Sequence, residues 1–206
     1  MKPHPSIAFI ELSNTAAGIY CADAMVKRSP IALLKSGTVS RGKYLVLIGG
    51  SVAAVDEAYR EGLQVAGEDC LDAMILPDVH PQVYAAMLGA EKASSAEALG
   101  IAECASLSAN IEAADRAVKG AGVEILEMRM GEAYDGKGYT LFNGKLEEVE
   151  IAMEIAGEFF RQKSCPSHLR IIPRLHEALA RQIRGSLRFH ASETLHLSDG
   201  EQDVTG

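Results

Sequence analysis

The alternation of apolar and polar positions divides the chain into short, regularly ordered elements. Ile7–Glu11 is a short apolar run and reads as a strand. From Thr15 to Arg28 the apolar positions recur at helical spacing, at Ala16, Ile19, Tyr20, Ala22, Met25 and Val26. Asn14 or Thr15 caps that helix and Pro30 stops it. Ile31–Leu34 is a second strand, 35–43 a loop, and Tyr44–Ile48 a third strand. Both strands are continuous apolar runs, so helices must cover at least one of their faces. Gly49-Gly50 turns the chain, and Ser51 caps a helix running to about Ala66. Cys70–Leu76 is a fourth strand, 77–81 breaks it, and Gln82–Leu88 is a short last helix. The order is β-α-β-β-α-β-α.

The second half repeats the first. Glu103 follows Glu11 by 92 positions, as Asp115 follows Asp23, Lys119 follows Lys27 and Val123 follows Ile31. From the loop before the third strand the offset becomes 94, linking Gly42 to Gly136, Lys43 to Lys137 and Val55 to Val149. Near the end it is 96, linking Pro77 to Pro173 and His80 to His176. An ordered drift across a whole unit means tandem duplication of one domain, with two extra residues in the second loop. The expected organisation is one domain over 6–89, a small polar linker over 90–97, a second domain over 98–184, and a polar, mobile tail over 185–206. The tail's apolar residues, Leu187, Phe189, Leu195 and Leu197, are candidates to dock on a neighbour. The fold class is α/β (α+β), each domain a small sheet with helices.

Composition narrows the function. Aromatic residues are 5% of the chain and Trp is absent, so small aliphatic side chains fill the cores. The net charge of −8 argues against nucleic acid as a partner, because phosphate binding needs a basic face. No stretch approaches the roughly 18 apolar residues of a membrane span. Glu11 and Asn14 interrupt any signal-type apolar core, so a cytoplasmic location is expected. Cys21, Cys70, Cys104 and Cys165 fit no zinc or iron–sulfur spacing and read as ordinary reduced thiols; no metal and no cofactor are expected. The six histidines, His4, His80, His168, His176, His190 and His196, sit in no catalytic motif. His80 and His176, equivalent positions at the start of the last helix of each unit, read as structural caps. Neither a GxGxxG nor a GxxxxGK[ST] sequence occurs, and Ser40-Arg41-Gly42-Lys43 precedes a strand rather than a helix, which weakens a phosphate cradle. Glu147, Glu148 and Glu150 suit the first turns of a helix without any active site.

Several segments, in order and twice over, resemble the shell-protein domain of bacterial microcompartments. In the first half they are Ala22–Lys27, the Gly loop before the third strand, Gly49–Val55 and Leu76–His80. In the second half they are Ala98–Glu103, Ala113–Lys119, Val123–Leu126 and Ile172–His176. Two fused, non-permuted domains resemble the tandem class, which implies a homotrimer that mimics a hexamer. The resemblance implies that the loop before the third strand lines a pore, here Ser40, Arg41 and Gly42, and Tyr134, Asp135 and Gly136. It places Lys27, Lys119 and Arg174 at the tile edge, where other shell proteins meet the trimer. The first repeat carries Asp78 where the second has Arg174, so the edges are not all equivalent. Some tandem members hold an iron–sulfur cluster on a pore-loop Cys; this chain has Ser40, Arg41, Tyr134 and Asp135 there, which argues against one.

The expected function is therefore structural: a shell protein, not an enzyme, tiling into a layer whose pore passes small polar metabolites. Three Arg41 and three Asp135 would alternate around the axis, and Arg41–Asp135 pairs would narrow the hole. The alternative is a trimeric ring that binds or senses a small metabolite without a shell role.

Overall fold

A computed structural model describes residues 5–95, 97–185, 187–192 and 194–195. His4, His196, Leu197 and the remainder of the expected mobile tail lie outside the described residues. The first unit runs β1 (Ser6–Leu12), α1 (Thr15–Arg28), β2 (Ala32–Thr38), β3 (Tyr44–Gly50), α2 (Val52–Ala66), β4 (Cys70–Leu76) and α3 (Pro81–Met87). The second runs β5 (Ala98–Cys104), α4 (Leu107–Gly120), β6 (Glu124–Met130), β7 (Gly138–Gly144), α5 (Leu146–Gln162), β8 (Ser167–Ile172) and α6 (Glu177–Gly185). Each unit holds a four-stranded antiparallel sheet, ordered β2-β3-β1-β4 and β6-β7-β5-β8.

Side-chain alternation explains how each sheet is covered. Ala8, Ile10 and Leu12 of β1, with Val46 and Ile48 of β3, face α1 and α2 and form one core. Ile7, Phe9, Leu47 and Met74 point the other way and pack with α3 and with Leu107, Ile111 and Ala114 of α4. The largest core is thus shared between the two units. Caps are local and legible: Asn14 accepts from Ala17 N, Ser51 from Ala54 N and Ser106 from Ala109 N. His80 Nδ1 accepts from Gln82 N at 3.3 Å and His176 Nδ1 from Ala178 N at 3.2 Å, so both histidines are the helix caps their repeat position predicts.

The second strand is longer than its apolar run. β2 continues through Lys35, Ser36 and Gly37 to Thr38 after a bulge between Leu33 and Lys35. It is an edge strand, so polar residues are tolerated and periodicity stops reporting the strand. The second unit bulges at the equivalent place, between Ile125 and Glu127. One helix–strand contact is solved in opposite ways. A Cβ on Gly18 would collide with the Tyr44 ring. In the second unit the helix carries Asn110 and the strand carries Gly138, where a Cβ would meet Leu107 at 2.9 Å. Small-on-helix with large-on-strand has been exchanged for the reverse, which keeps the local volume filled.

Candidate functional site

The loops that precede β3 and β7 meet within one chain. The first, Val39–Lys43, folds as a tight turn with Arg41 at φ 66° and Gly42 at φ 72°. The second, Gly131–Lys137, carries the two-residue insertion and has Asp135 at φ 49° and Gly136 at φ 66°. Left-handed backbone at Arg41 and Asp135 is uncommon for residues with a Cβ. It puts both side chains at the exposed tips, where Arg41 Nη1 stands 3.6 Å from Asp135 Oδ2. Lys43 Nζ donates to the carbonyl of Gly136 at 3.0 Å and ties the loops together. A Cβ on Gly136 would lie 3.1 Å from the Ser40 carbonyl oxygen, and its φ is 66°, so this close approach favours glycine. Ser40, Arg41, Gly42, Asp135 and Gly136 therefore meet in one cluster, while the Tyr134 side chain turns away from it toward Glu103 of its own unit.

Behind the loops lies the seam between the units. Glu11, 1% exposed, accepts from Ser108 N at 2.7 Å and Ser106 Oγ at 3.2 Å, and its other oxygen meets Lys43 Nζ at 3.3 Å. The carboxylate sits at the N-terminus of α4, where the helix dipole favours a negative charge. Asp72 accepts a short hydrogen bond from Ser106 Oγ as well. Further along, His80 N donates to Asp115 Oδ1 at 2.8 Å, and Lys119 Nζ reaches the Asp78 carbonyl. Gln82 bonds the backbone at the start of β6 twice, donating to Val123 O just before the strand at 3.2 Å and accepting from Ile125 N within it at 3.0 Å, as a neighbouring strand would. Lys119 thus lies on the seam between the units. Lys27, whose side chain is 73% exposed, meets Asp23 of its own helix, and Arg174 is exposed.

In the second unit Glu103 occupies the position of Glu11 and is held differently. Tyr134 OH donates to it at 2.7 Å and Lys137 Nζ stands 3.4 Å away. The Tyr134 ring packs edge-on against Tyr139 at 5.2 Å. Burial, and then the bond to Glu103, push the Tyr134 phenol up to about 12, so it stays a neutral donor. Sequence reasoning aligned Glu11 with Glu103 but missed these roles. The available signal was a carboxylate placed twice inside an otherwise apolar strand.

Burial drives the Cys21 thiol up to about 11 and raises those of Cys70 and Cys104. Thiols held protonated are poor metal ligands. Among the described residues no three or more His, Cys, Asp or Glu side chains gather as a metal site, and no helix is long and apolar enough to cross a membrane.

This duplicated sheet-and-helix unit is the fold of a shell-building domain. The BMC domain family profile matches the chain twice, over residues 6–79 and 98–175. The chain is 36% identical over 178 residues to the bacterial microcompartment shell protein PduT of Citrobacter freundii, covering 86% of this chain and 97% of that one. A crystal structure of a microcompartment protein from Desulfitobacterium hafniense superposes with a TM-score of 0.76 at 37% identity, covering 85% of this chain and 98% of the other. The fused permuted hexameric shell protein MSM0275 of the RMM microcompartment shares the fold, with a TM-score of 0.58 at 22% identity over 80% of this chain and 88% of its own. The chain belongs to the BMC domain family, with two tandem domains, and is a structural protein of the bacterial microcompartment shell.

Proposed function

We propose that the protein is a homotrimeric tile in which the seam inside each chain is repeated between chains, with the two loops framing a central pore. The observation that carries this is a difference in burial between equivalent positions. Ile111 is 0% exposed and Val118 8%, whereas their counterparts on α1, Ile19 and Val26, are 56% and 41% exposed. Val83 of α3 is 0% exposed and its counterpart Leu179 of α6 is 41%. The face of α4 that packs on the first unit therefore exists on α1 without a cover. The groove that would receive it exists on the second sheet, around Leu99, Leu141, Ile172 and Glu103. A head-to-tail contact of this kind closes into a ring when its rotation divides the circle and runs on as a filament when it does not; the ring is the form proposed. Three chains give six units, which is why the trimer imitates a hexamer.

In that ring Glu103 takes the role of Glu11 and accepts from the N-terminus of the neighbour's α1. Three Arg41 and three Asp135 alternate around the axis, a neutral collar suited to small polar metabolites rather than to strongly charged ones. Domains over 6–89 and 98–184 joined by a 90–97 linker complete the tile, with Lys27 and Arg174 toward the perimeter facing other shell proteins and Lys119 where the seam between the units reaches that perimeter. Its role is structural rather than catalytic. Light scattering on the purified protein should give three times the chain mass. Ile19→Asp should reduce it to a folded single chain, since each buried aliphatic contributes about 1.5–3 kcal/mol and a buried unpaired carboxylate adds to the loss. An unmodified chain that stays monomeric at micromolar concentration overturns the ring.

A further inference from the structure

The segment between the two units runs on from the last helix of the first. After α3 it passes along the outer edge of β6. There Lys92 N donates to the Leu126 carbonyl at 2.9 Å and Lys92 Nζ meets Glu124 at 3.0 Å. Ser95 then anchors the segment, its N and Oγ both donating to Asn143 Oδ1 at 2.8 Å. The edge of the second sheet is therefore covered by the linker that continues from the first unit. β2 is the same strand of the first sheet, and among the described residues it pairs only with β3. A bare edge strand presents a row of backbone donors and acceptors that invites pairing. Its apolar face is bare as well, since Leu33 is 45% exposed where the equivalent Ile125 is 3%.

The segment after α6 is the counterpart of that linker. Arg188 lies 96 positions after Lys92, and both are basic. Leu34 and Ala32 lie 92 positions before Leu126 and Glu124. Folded over its own unit, the segment leaves Leu187 41% and Phe189 95% exposed, so that position buries little of its apolar surface. We infer that residues 187–192 are a clasp between copies. They run along the outer edge of β2 in the next copy of this chain, where the Arg188 N–H meets the carbonyl of Leu34. The occupant is a second copy because the geometry already realised once, between the two units of one chain, must recur wherever a second unit is followed by a first. The inference rests on the trimer reading and adds to it a contact that the helix-to-groove seam does not need.

The test is a double variant, Ala32→Cys with Arg188→Cys, in a Cys70→Ser/Cys165→Ser background. These are the positions whose counterparts, Glu124 and Lys92, touch. After mild oxidation with copper phenanthroline, a non-reducing gel should show covalent dimers and trimers, and neither single variant should. Arg188→Pro, which removes the one backbone donor, should raise the trimer dissociation constant about tenfold on dilution, as expected for loss of a hydrogen bond. Native mass spectrometry of the unmodified chain separates the two readings. Trimers without cross-linking, or a cross-link confined within one chain, overturn the clasp and leave the trimer standing. Monomers overturn both.

Discussion

Glu11 and Glu103 stand at the same place in two copies of one fold and live in different surroundings. Glu11 is almost completely buried and satisfied by Ser106, Ser108 and Lys43, because the second unit closes over it. Glu103 is partly exposed and is held by Tyr134 and Lys137 of its own unit. Duplication supplied one strand, one carboxylate and one lysine to both units. What differs is whether another unit stands in front. The difference teaches that a duplicated ion pair can be a buried structural contact on one side of a chain and an open acceptor on the other.

The comparison breaks most readily at the lysines. In an Ile19→Asp background, which keeps chains apart, Lys43→Met leaves a buried carboxylate without its cation and should cost about 3 kcal/mol. That corresponds to a melting temperature lower by roughly 6–12 °C for a chain of this size. Lys137→Met removes a partner that is 43% exposed and should cost under about 1 kcal/mol. Equal losses in a thermal-denaturation series would show that Glu103 is as desolvated as Glu11 before any copy docks.

A smaller effect should sharpen the role of Tyr134. Tyr134→Phe removes the phenol donor to Glu103 and should cost about 1 kcal/mol near neutral pH. The folded phenol is raised to about 12 from an ordinary value of 10. Its contribution is therefore fully present below pH 10 and declines as pH rises from 10 toward 12. Melting curves of the two proteins should be separated at pH 8 and converge as the pH approaches 12; a separation that widens with pH would contradict the hydrogen bond. The first unit has Ser40 in place of Tyr134, too short for the same tie, so Ser40→Ala should leave the curve unchanged.

The smallest expected effect concerns the clasp. Ala32→Glu restores, opposite Arg188, the acid that Glu124 offers Lys92. It should strengthen the trimer by no more than about 0.5–1 kcal/mol, and less at high salt, when dissociation is followed by sedimentation at two ionic strengths. No change at low salt would mean that residue 188 does not face residue 32 of the partner subunit.

The sequence by itself determined the elements, their order and their duplication, because these depend on periodicity, caps and turns that act over a few residues. Asn14, Ser51, His80 and His176 cap helices where their spacing places them, and the two-residue insertion lies between β6 and β7 as the drift in offset requires. The resemblance carried the family and the pair of loops. The end of β2 was illegible because an edge strand needs no apolar face, so Lys35, Ser36 and Gly37 look like loop. Only the tertiary structure decided which of two equivalent carboxylates is buried, that Lys43 spans from Glu11 to the Gly136 carbonyl, and that Gln82 imitates a strand against β6. Contacts across the seam join residues 34 to 97 positions apart. Local pattern carries no trace of them, since both repeats present the same side chains and differ only in what packing brings in front.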